Sequence, residues 1–411
     1  MAQLHITLDQ DEILRLLGEG SGEAMRELLR QSLDAVLRAE SDEVLRAGRY
    51  ERTEERTDCR NGTRRRPLTT RIGTIELTVP RHRDAPFRTM LFENYQRSEA
   101  ALVTTMAEMV LSGTSTAKVG RVMEALCGRS FSKSTVSEAC AELDAPVEEF
   151  RTRPIEGEHL FVMVDATYLK AREDHRIKSK ALMIAIGLTP DGRKEVLGFG
   201  LYDTESEATW ADFLRSLVAR GLRGVRMFTS DAHDGLVAAL HAAFPDVPWQ
   251  RCQTHFARNV AEAAPKRLRA GLRSELTEMF NCATLEVARA RRDEIASDYA
   301  ELAPEAVARM DAGFDDAMTV MELPAQMRRC VRTSNYLERL NEEVKRRSKV
   351  IGIFPNADSI VRLMGSFLIE ENDRWASKGK LYYRPACEEL KAKETTLREI
   401  ARNQCQLRKA A

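Results

Sequence analysis

The sequence lacks a long hydrophobic run, the pattern of a secretion signal and an excess of charge of one sign. No apolar run reaches the ~18 residues that a membrane span needs, and the first residues lack a charged-then-apolar signal peptide. The eight cysteines show no pairing rhythm, so we expect reduced thiols and a cytoplasmic protein. The 63 basic and 63 acidic residues cancel, which argues against uniform polyanion binding but permits local basic patches.

The 411 residues are enough for two or three domains. We predict an N-terminal helical region over residues 1–59, where apolar residues recur at helical spacing. A basic segment, residues 60–97, contains a predicted β-hairpin, because residues 68–80 alternate apolar and polar side chains and Pro80 closes the second strand. Such a hairpin suits contacts with DNA phosphates, although a solvated charged hairpin has the same pattern. The candidate contacts are Arg64, Arg65, Arg66, Arg81 and Arg83.

Residues 98–155 predict a helix-turn-helix-like DNA-binding region. Residues 115–126 have helical spacing, and Thr135 with Glu138 fits a capping box that would start a second helix. Lys133, in the intervening turn, is a further candidate DNA contact. Any two packed helices give this pattern, and a glutamate does not suit a helix that approaches phosphates.

The rest of the chain predicts a mixed α/β sheet followed by a series of helices. Residues 156–260 alternate five strand patterns with helix patterns, which indicates a mixed sheet. Residues 261–330 have no strand pattern and predict several helices, and residues 331–375 return as two more helices. We expect residues 376–411 to form a charged, partly loose tail.

The first and fourth predicted strands run into Asp165 and Asp231. If these strands are neighbours, the two carboxylates lie close together and repel each other unless a cation lies between them. Mg²⁺ takes oxygen ligands and is commonly held by a few carboxylates together with substrate phosphate. The alternative is that each aspartate only hydrogen-bonds a nearby turn.

A third acid, Glu338, would complete a site for two metal ions. Residues 333–349 predict a charged helix on which Asn335, Glu338, Asn341 and Glu342 share one face. An ordinary surface helix with alternating charges is the alternative. Three basic residues that could grip a DNA backbone follow on the same helix: Lys345, Arg346 and Arg347.

Several stretches closely resemble the Mutator-type transposases of bacterial insertion sequences. The longest are 165–170 (DATYLK), 230–236 (SDAHDGL), 249–259 (WQRCQTHFARN) and 333–347 (TSNYLERLNEEVKRR). Residues 49–56, 60–62 and 91–97 also look like the N-terminal half of this family. The resemblance covers about residues 25–375.

The resemblance implies a ribonuclease-H-like, mixed-sheet catalytic core in which residues 261–330 are an all-helical insertion. It places the three catalytic, metal-binding acids on Asp165, Asp231 and Glu338, with two Mg²⁺ ions as cofactors and Mn²⁺ as a substitute. No covalent protein intermediate is needed.

Three further residues near these acids match or adjoin the family's motifs. Cys252 and His255 form its Cys-x-x-His element, but two ligands are too few for a structural zinc site. We interpret them as a packed thiol and a hydrogen-bonded histidine. His233 follows Asp231 by two residues and either contacts substrate or caps the next helix.

The function implied is a DNA transposase that cuts at terminal inverted repeats and joins the released 3′-hydroxyl to target DNA. Because two ends are cut and joined together, we expect a homodimer or larger oligomer on double-stranded DNA, associated with the nucleoid and not with a membrane. Two rival interpretations are a ribonuclease-H-like nuclease that cuts without joining, such as a junction resolvase, and a DNA-binding repressor without catalysis.

Overall fold

The structure is a computed structural model that describes residues 21–51, 53–70, 72–89, 100–127, 131–376 and 383–410. Two compact units divide the chain, residues 1–142 and residues 143–411. Residues 1–20 of the predicted N-terminal helical region and the family motif at 91–97 lie outside the described residues. In the described ranges, no helix is long and apolar enough to cross a bilayer.

In the first unit, helix α1 (Ser21–Leu45) packs against an antiparallel hairpin of strands β1 (Arg60–Thr70) and β2 (Gly73–His82). Buried and exposed residues alternate along most of β2, as expected when one face of a hairpin is covered. The predicted hairpin is confirmed. However, Pro80 does not close β2, because it pairs opposite Thr63 in a two-stranded sheet, where an edge strand tolerates proline.

Three further helices follow in this unit: α2 (Ala100–Leu111), α3 (Thr116–Cys127) and α4 (Lys133–Cys140). They share a small core that includes Met106, Val119 and Val136. The predicted helix pair is present, but the predicted capping box at Thr135 is wrong. Helix α4 begins three residues earlier, with Ser132 as its N-cap, because the Ser132 hydroxyl accepts the backbone N–H of Thr135 at 3.1 Å.

The second unit is built on a five-stranded mixed sheet with the order β5-β4-β3-β6-β7. The strands are β3 (Phe161–Glu173), β4 (Arg176–Leu188), β5 (Lys194–Tyr202), β6 (Met227–Ser230) and β7 (Trp249–Arg251). Strands β3, β4 and β5 are antiparallel neighbours, whereas β6 lies parallel to β3, and β7 lies parallel to β6. Residues 161–164 are fully buried, so β3 is covered on both faces.

Helices and two 3₁₀ turns (Ala141–Leu143 and Thr319–Glu322) complete the described chain. Before and beside the sheet lie α5 (Asp144–Thr152), α6 (Glu207–Ala219) and α7 (Asp234–Ala243). Beyond it lie α8 (Gln253–Ala263), α9 (Arg269–Phe280), α10 (Leu285–Tyr299), α11 (Pro304–Met318), α12 (Ala325–Val331), α13 (Asn335–Ile351), α14 (Ala357–Ala376), α15 (Tyr383–Ala392) and α16 (Glu394–Ala410). The stretch from 261 to 330 is helical and strandless, as predicted, with its own core around Phe256, Leu276 and Phe314.

The apolar face predicted for α6 packs onto the sheet. Trp210, Phe213, Leu214 and Leu217 are all buried against β3, β4 and α7. The loose tail, in contrast, is a wrong prediction for residues 383–410. Helices α15 and α16 bury Leu390, Leu397 and Ala401, and the Gln404 side chain hydrogen-bonds both backbone groups of Trp249 at the free edge of β7. The charges that suggested a loose tail lie on the outer faces of amphipathic helices.

Candidate active site

Asp165 and Asp231 lie side by side on two neighbouring segments of the sheet. Strands β3 and β6 run parallel with Met163 opposite Thr229, and the two aspartates come two residues later on each chain segment. Neighbouring strands are about 4.8 Å apart, so the carboxylates are close. Burial, and next the negative charge of Asp231, raise the pKa of Asp165 to about 7. The predicted adjacency of these two strands is confirmed.

The sequence predicted that strand β3 ends near Asp165, and this prediction is wrong. It continues to Glu173, because β4 pairs with it antiparallel over its whole length and places Ile184 opposite Asp165. Only the parallel partner β6 stops at this point, and it leaves one side of β3 open to other elements. Asp165 is therefore held by continuous backbone pairing on one side and faces the site on the other.

Three hydrogen bonds hold the segment that follows the helical insertion against β6 and the end of β7. They fix the segment that leads into α13, so that this helix starts beside the carboxyl ends of the strands. The bonds are Thr229 Oγ1 to the Val331 carbonyl (2.7 Å), the Gln253 N–H to the Arg332 carbonyl (3.0 Å) and the Ser334 hydroxyl to Cys252 Sγ (3.2 Å).

Helix α13 brings Asn341 to Asp165 and Glu338 to His255. Asn341 is buried, and its Nδ2 donates to Asp165 Oδ2 at 2.8 Å, while the Ala166 N–H donates to Oδ1 at 2.9 Å. Glu338 lies one turn before Asn341 on the same face. Its Oε1 atom is buried, and among the described residues no group donates a hydrogen bond to it. Of the four residues predicted to share one face of this helix, Asn341 contacts Asp165, whereas Glu342 is exposed.

Cys252, His255 and Glu338 form a tight cluster beside the aspartates. One ligand-type atom from each lies within 4.8 Å of the others, and His255 Nε2 is 3.7 Å from Glu338 Oε1. Interaction with Cys252 raises the pKa of His255 to about 9, and the negative charges of Asp165 and Glu338 act in the same direction. Burial opposes ionisation of the Cys252 thiol, yet His255 and Ser334 lower its pKa overall. A cationic imidazole thus sits between the thiol and the acid.

In the described part of the chain, Cys252, His255 and Glu338 are the one group of three ligand-type residues this compact. The three predicted metal-binding acids are more widely spaced than 4.8 Å as a set. Two ions are themselves about 4 Å apart in such sites, so ligands on opposite sides of an ion pair need this wider spacing. Mg²⁺ prefers carboxylate oxygens as ligands. One such oxygen, Glu338 Oε1, accepts no hydrogen bond from the described residues. The donor atoms of these acids are of the type that a divalent cation takes.

Glu205 is a further carboxylate at this site that the sequence did not indicate. Its pKa is raised by burial, and the charge of Asp231 adds to this shift while His233 opposes it. His233 Nε2 is 3.9 Å from Glu205 Oε2. His233 occupies the N-cap position of α7 but makes no side-chain capping bond, so the predicted capping role is wrong. Glu205 comes from the loop between β5 and α6, where no periodic pattern singles it out.

The predicted DNA contacts differ in how the structure presents them. Arg64, Arg65, Arg81, Arg83 and Lys133 are exposed in the first unit, and Arg66 is half-buried there. On α13, Lys345 and Arg346 are exposed. The structure argues against the predicted DNA contact at Arg347. This side chain is 7% exposed, stacks 4.1 Å from the Phe367 ring and pairs with Glu343. A side chain packed in this way supports α13 against α14 and is not available to a DNA backbone.

The second unit is therefore a mixed α/β domain that places half-buried acids side by side where strand β6 ends next to β3. The family model described as "Transposase, Mutator family" matches residues 1–378 of the chain. The chain belongs to the Mutator family of transposases.

Named relatives are transposases of bacterial insertion sequences. The transposase of IS256 in transposon Tn4001 from Staphylococcus aureus is 39% identical over 386 residues, 93% of this chain and 99% of the relative. The transposase of IS1081 from Mycobacterium tuberculosis is 38% identical over 385 residues, 93% of this chain and 92% of the relative. That of ISRM5 from Rhizobium meliloti is 39% identical over 353 residues, 86% of this chain and 89% of the relative.

Proposed function

We propose that this protein is a DNA transposase that cuts and joins DNA at the terminal inverted repeats of an insertion sequence. Its catalytic core is ribonuclease-H-like, and Asp165, Asp231 and Glu338 are its catalytic acids. The observation that carries this proposal is that Asp165 and Asp231 follow neighbouring parallel strands, and that helix α13, which carries Glu338, is hydrogen-bonded to Asp165 through Asn341. Membership of the Mutator family supports the same conclusion.

In this proposal, Asp165, Asp231 and Glu338 hold two Mg²⁺ ions, for which Mn²⁺ substitutes. When bound, such ions activate the attacking oxygen of water or of a 3′-hydroxyl and stabilise the leaving oxygen of the phosphodiester. The protein orients the acids: Asn341 and the Ala166 N–H fix both oxygens of Asp165. His255 holds Glu338 in place by charge attraction. No side chain is needed as a covalent nucleophile.

The substrate is double-stranded DNA, both as element ends and as target. The exposed arginines of the hairpin, together with Lys133 and Lys345, would contact its phosphates without reading sequence. Since two ends are joined in one event, the working form is a homodimer or a larger oligomer. In the cell this places the protein on the nucleoid.

A strand-transfer assay with pre-cut element ends and plasmid target tests the proposal. We expect Mg²⁺-dependent joining by the wild type, abolished by EDTA and by each of Asp165→Asn, Asp231→Asn and Glu338→Gln. The control Asp373→Asn, which neutralises an exposed acid on α14, should join normally. Cleavage without joining would favour a nuclease, and undiminished activity of Asp165→Asn would refute the assignment of the acids.

A further inference from the structure

A cleft of about 500 Å³ lies beside the catalytic acids, between α8, α9 and the segment 329–335 that leads into α13. Four arginines line it, and its remaining lining residues include hydroxyl, amide and apolar side chains but no aspartate or glutamate. The arginines are Arg258, Arg273, Arg329 and Arg332. None of them was singled out by the sequence, because three different helical segments contribute them.

The charge of this cleft is not neutralised by the protein. Among the described residues, no carboxylate forms an ion pair with any of the four arginines, and Arg332 donates instead to the neutral Asn281 Oδ1 at 2.8 Å. Arg258, Arg273 and Arg329 are exposed. Four guanidinium groups gathered without counter-charge repel one another, and this repulsion is relieved when an anion binds.

A second cleft of similar volume gives the contrast. It lies on another side of α13 and is lined by Lys194, Arg339 and Arg374, but also by Glu343 and Glu371. Arg374 pairs there with Glu371, and Lys194 lies over an aromatic ring. Two of the four cations in that lining thus pair with carboxylates of the same lining, whereas none of the four arginines of the first cleft has a carboxylate partner among the described residues.

The arginine cleft adjoins the two segments that carry His255 and Glu338. Thr254 and Gln253 in its lining are the neighbours of His255 and Cys252, and Asn335 lies one helical turn before Glu338. Thr254 Oγ1 and Asn335 Oδ1 are 3.4 Å apart at this boundary. A chain-like ligand that fills the cleft therefore lies next to the segments that carry His255 and Glu338.

We propose that this cleft binds the backbone of the DNA strand that carries the reacting phosphate, immediately next to that phosphate; this rests on the transposase function proposed above. Guanidinium groups bind phosphate oxygens in bidentate fashion. The hydroxyl and amide groups of Thr277, Thr333 and Asn281 supply further donors, and the Phe280 ring offers a surface for a sugar or base. The helical insertion thereby positions the strand for chemistry.

Binding of a fluorescein-labelled pre-cut end in EDTA tests this, with all variants in the inactive Asp165→Asn background. We expect Arg273→Gln with Arg329→Gln to weaken binding about 10- to 100-fold and to make the log–log salt dependence shallower by about 2, one for each lost phosphate contact. The matched control Arg289→Gln removes an exposed arginine of the same insertion, outside the cleft, and should bind like its parent.

Neutral methylphosphonates next to the reacting 3′ end locate the contact. These uncharged linkages should weaken binding by the parent but add little to the defect of the double variant. The reason is that the change in the DNA and the change in the protein remove the same contact. Equal affinity and salt dependence of the double variant and Arg289→Gln would overturn the proposal, as would full additivity of the two changes. Because binding is read without catalysis, these outcomes are independent of the strand-transfer test of the catalytic acids.

Discussion

Asp165→Asn should inactivate strand transfer and yet stabilise the folded protein in the absence of divalent ions. The native carboxyl is buried beside Asp231, and these two effects raise its pKa to about 7. The substitution removes the charge and keeps the shape. The new amide can accept from the Ala166 N–H and donate to Asn341 Oδ1, which has no partner among the described residues, after a flip of the Asn341 amide.

The size of this effect follows from the pKa difference between the folded and unfolded protein. In the unfolded chain the carboxyl has its ordinary pKa of 3.8, so the folded state binds the proton more tightly. Stability from Asp165 is therefore complete below about pH 4 and is lost as the pH rises through about 7. The loss reaches roughly 2 kcal/mol at about pH 5 and about 4 kcal/mol at about pH 8, as an upper bound.

Urea unfolding in EDTA at these two pH values measures the difference. Relative to the wild type, Asp165→Asn should gain stability at both, with a larger gain at the higher pH by about 2 kcal/mol. Asp373→Asn, the exposed control, should retain the pH dependence of the wild type. A gain in stability that does not change with pH, or a loss of stability at both pH values, would refute the conclusion that the charge of Asp165 destabilises the folded protein.

Two other predictions test the support of the site. Asn341→Ala removes the donor to Asp165 Oδ2, so strand transfer should fall at least about 10-fold while DNA affinity in EDTA stays unchanged; an undiminished rate would contradict the positioning role. Arg347→Ala should lower the free energy of unfolding by about 1–3 kcal/mol through lost packing on Phe367, with unchanged DNA affinity of the folded protein. Arg346→Ala, on the exposed side, should change the free energy of unfolding by less than about 0.5 kcal/mol. If Arg347→Ala weakened DNA binding without destabilising the protein, Arg347 would be a DNA contact and not a packing residue.

Local patterns predicted the elements well where packing and sequence agree. The alternation in β2, the apolar runs of the sheet and the face of α6 that carries Trp210 all appear as expected, because burial of one face imposes a period on the sequence. The end of β3 was misplaced, since its continuation past Asp165 depends on pairing with β4. The same applies to the tail, whose helices depend on docking against distant residues such as Trp249.

The candidate site divides in the same way. Motif resemblance singled out Asp165, Asp231 and Glu338, and the strand patterns explained why the first two should meet. Glu205 and the arginine cleft were missed, because their members come from separate segments with no shared spacing. Arg347 was misjudged for the opposite reason: a run of three basic residues looks alike in sequence, although a helix turns each to a different side.

By itself, the sequence determined the family, the order of strands and helices, and the chemical type of the groups at the site. Only the tertiary structure decided which of these groups meet, which charges remain unbalanced and which cations are buried. The physical reason is that periodicity reports burial along one element, whereas electrostatic coupling depends on distances between elements that are far apart in the chain.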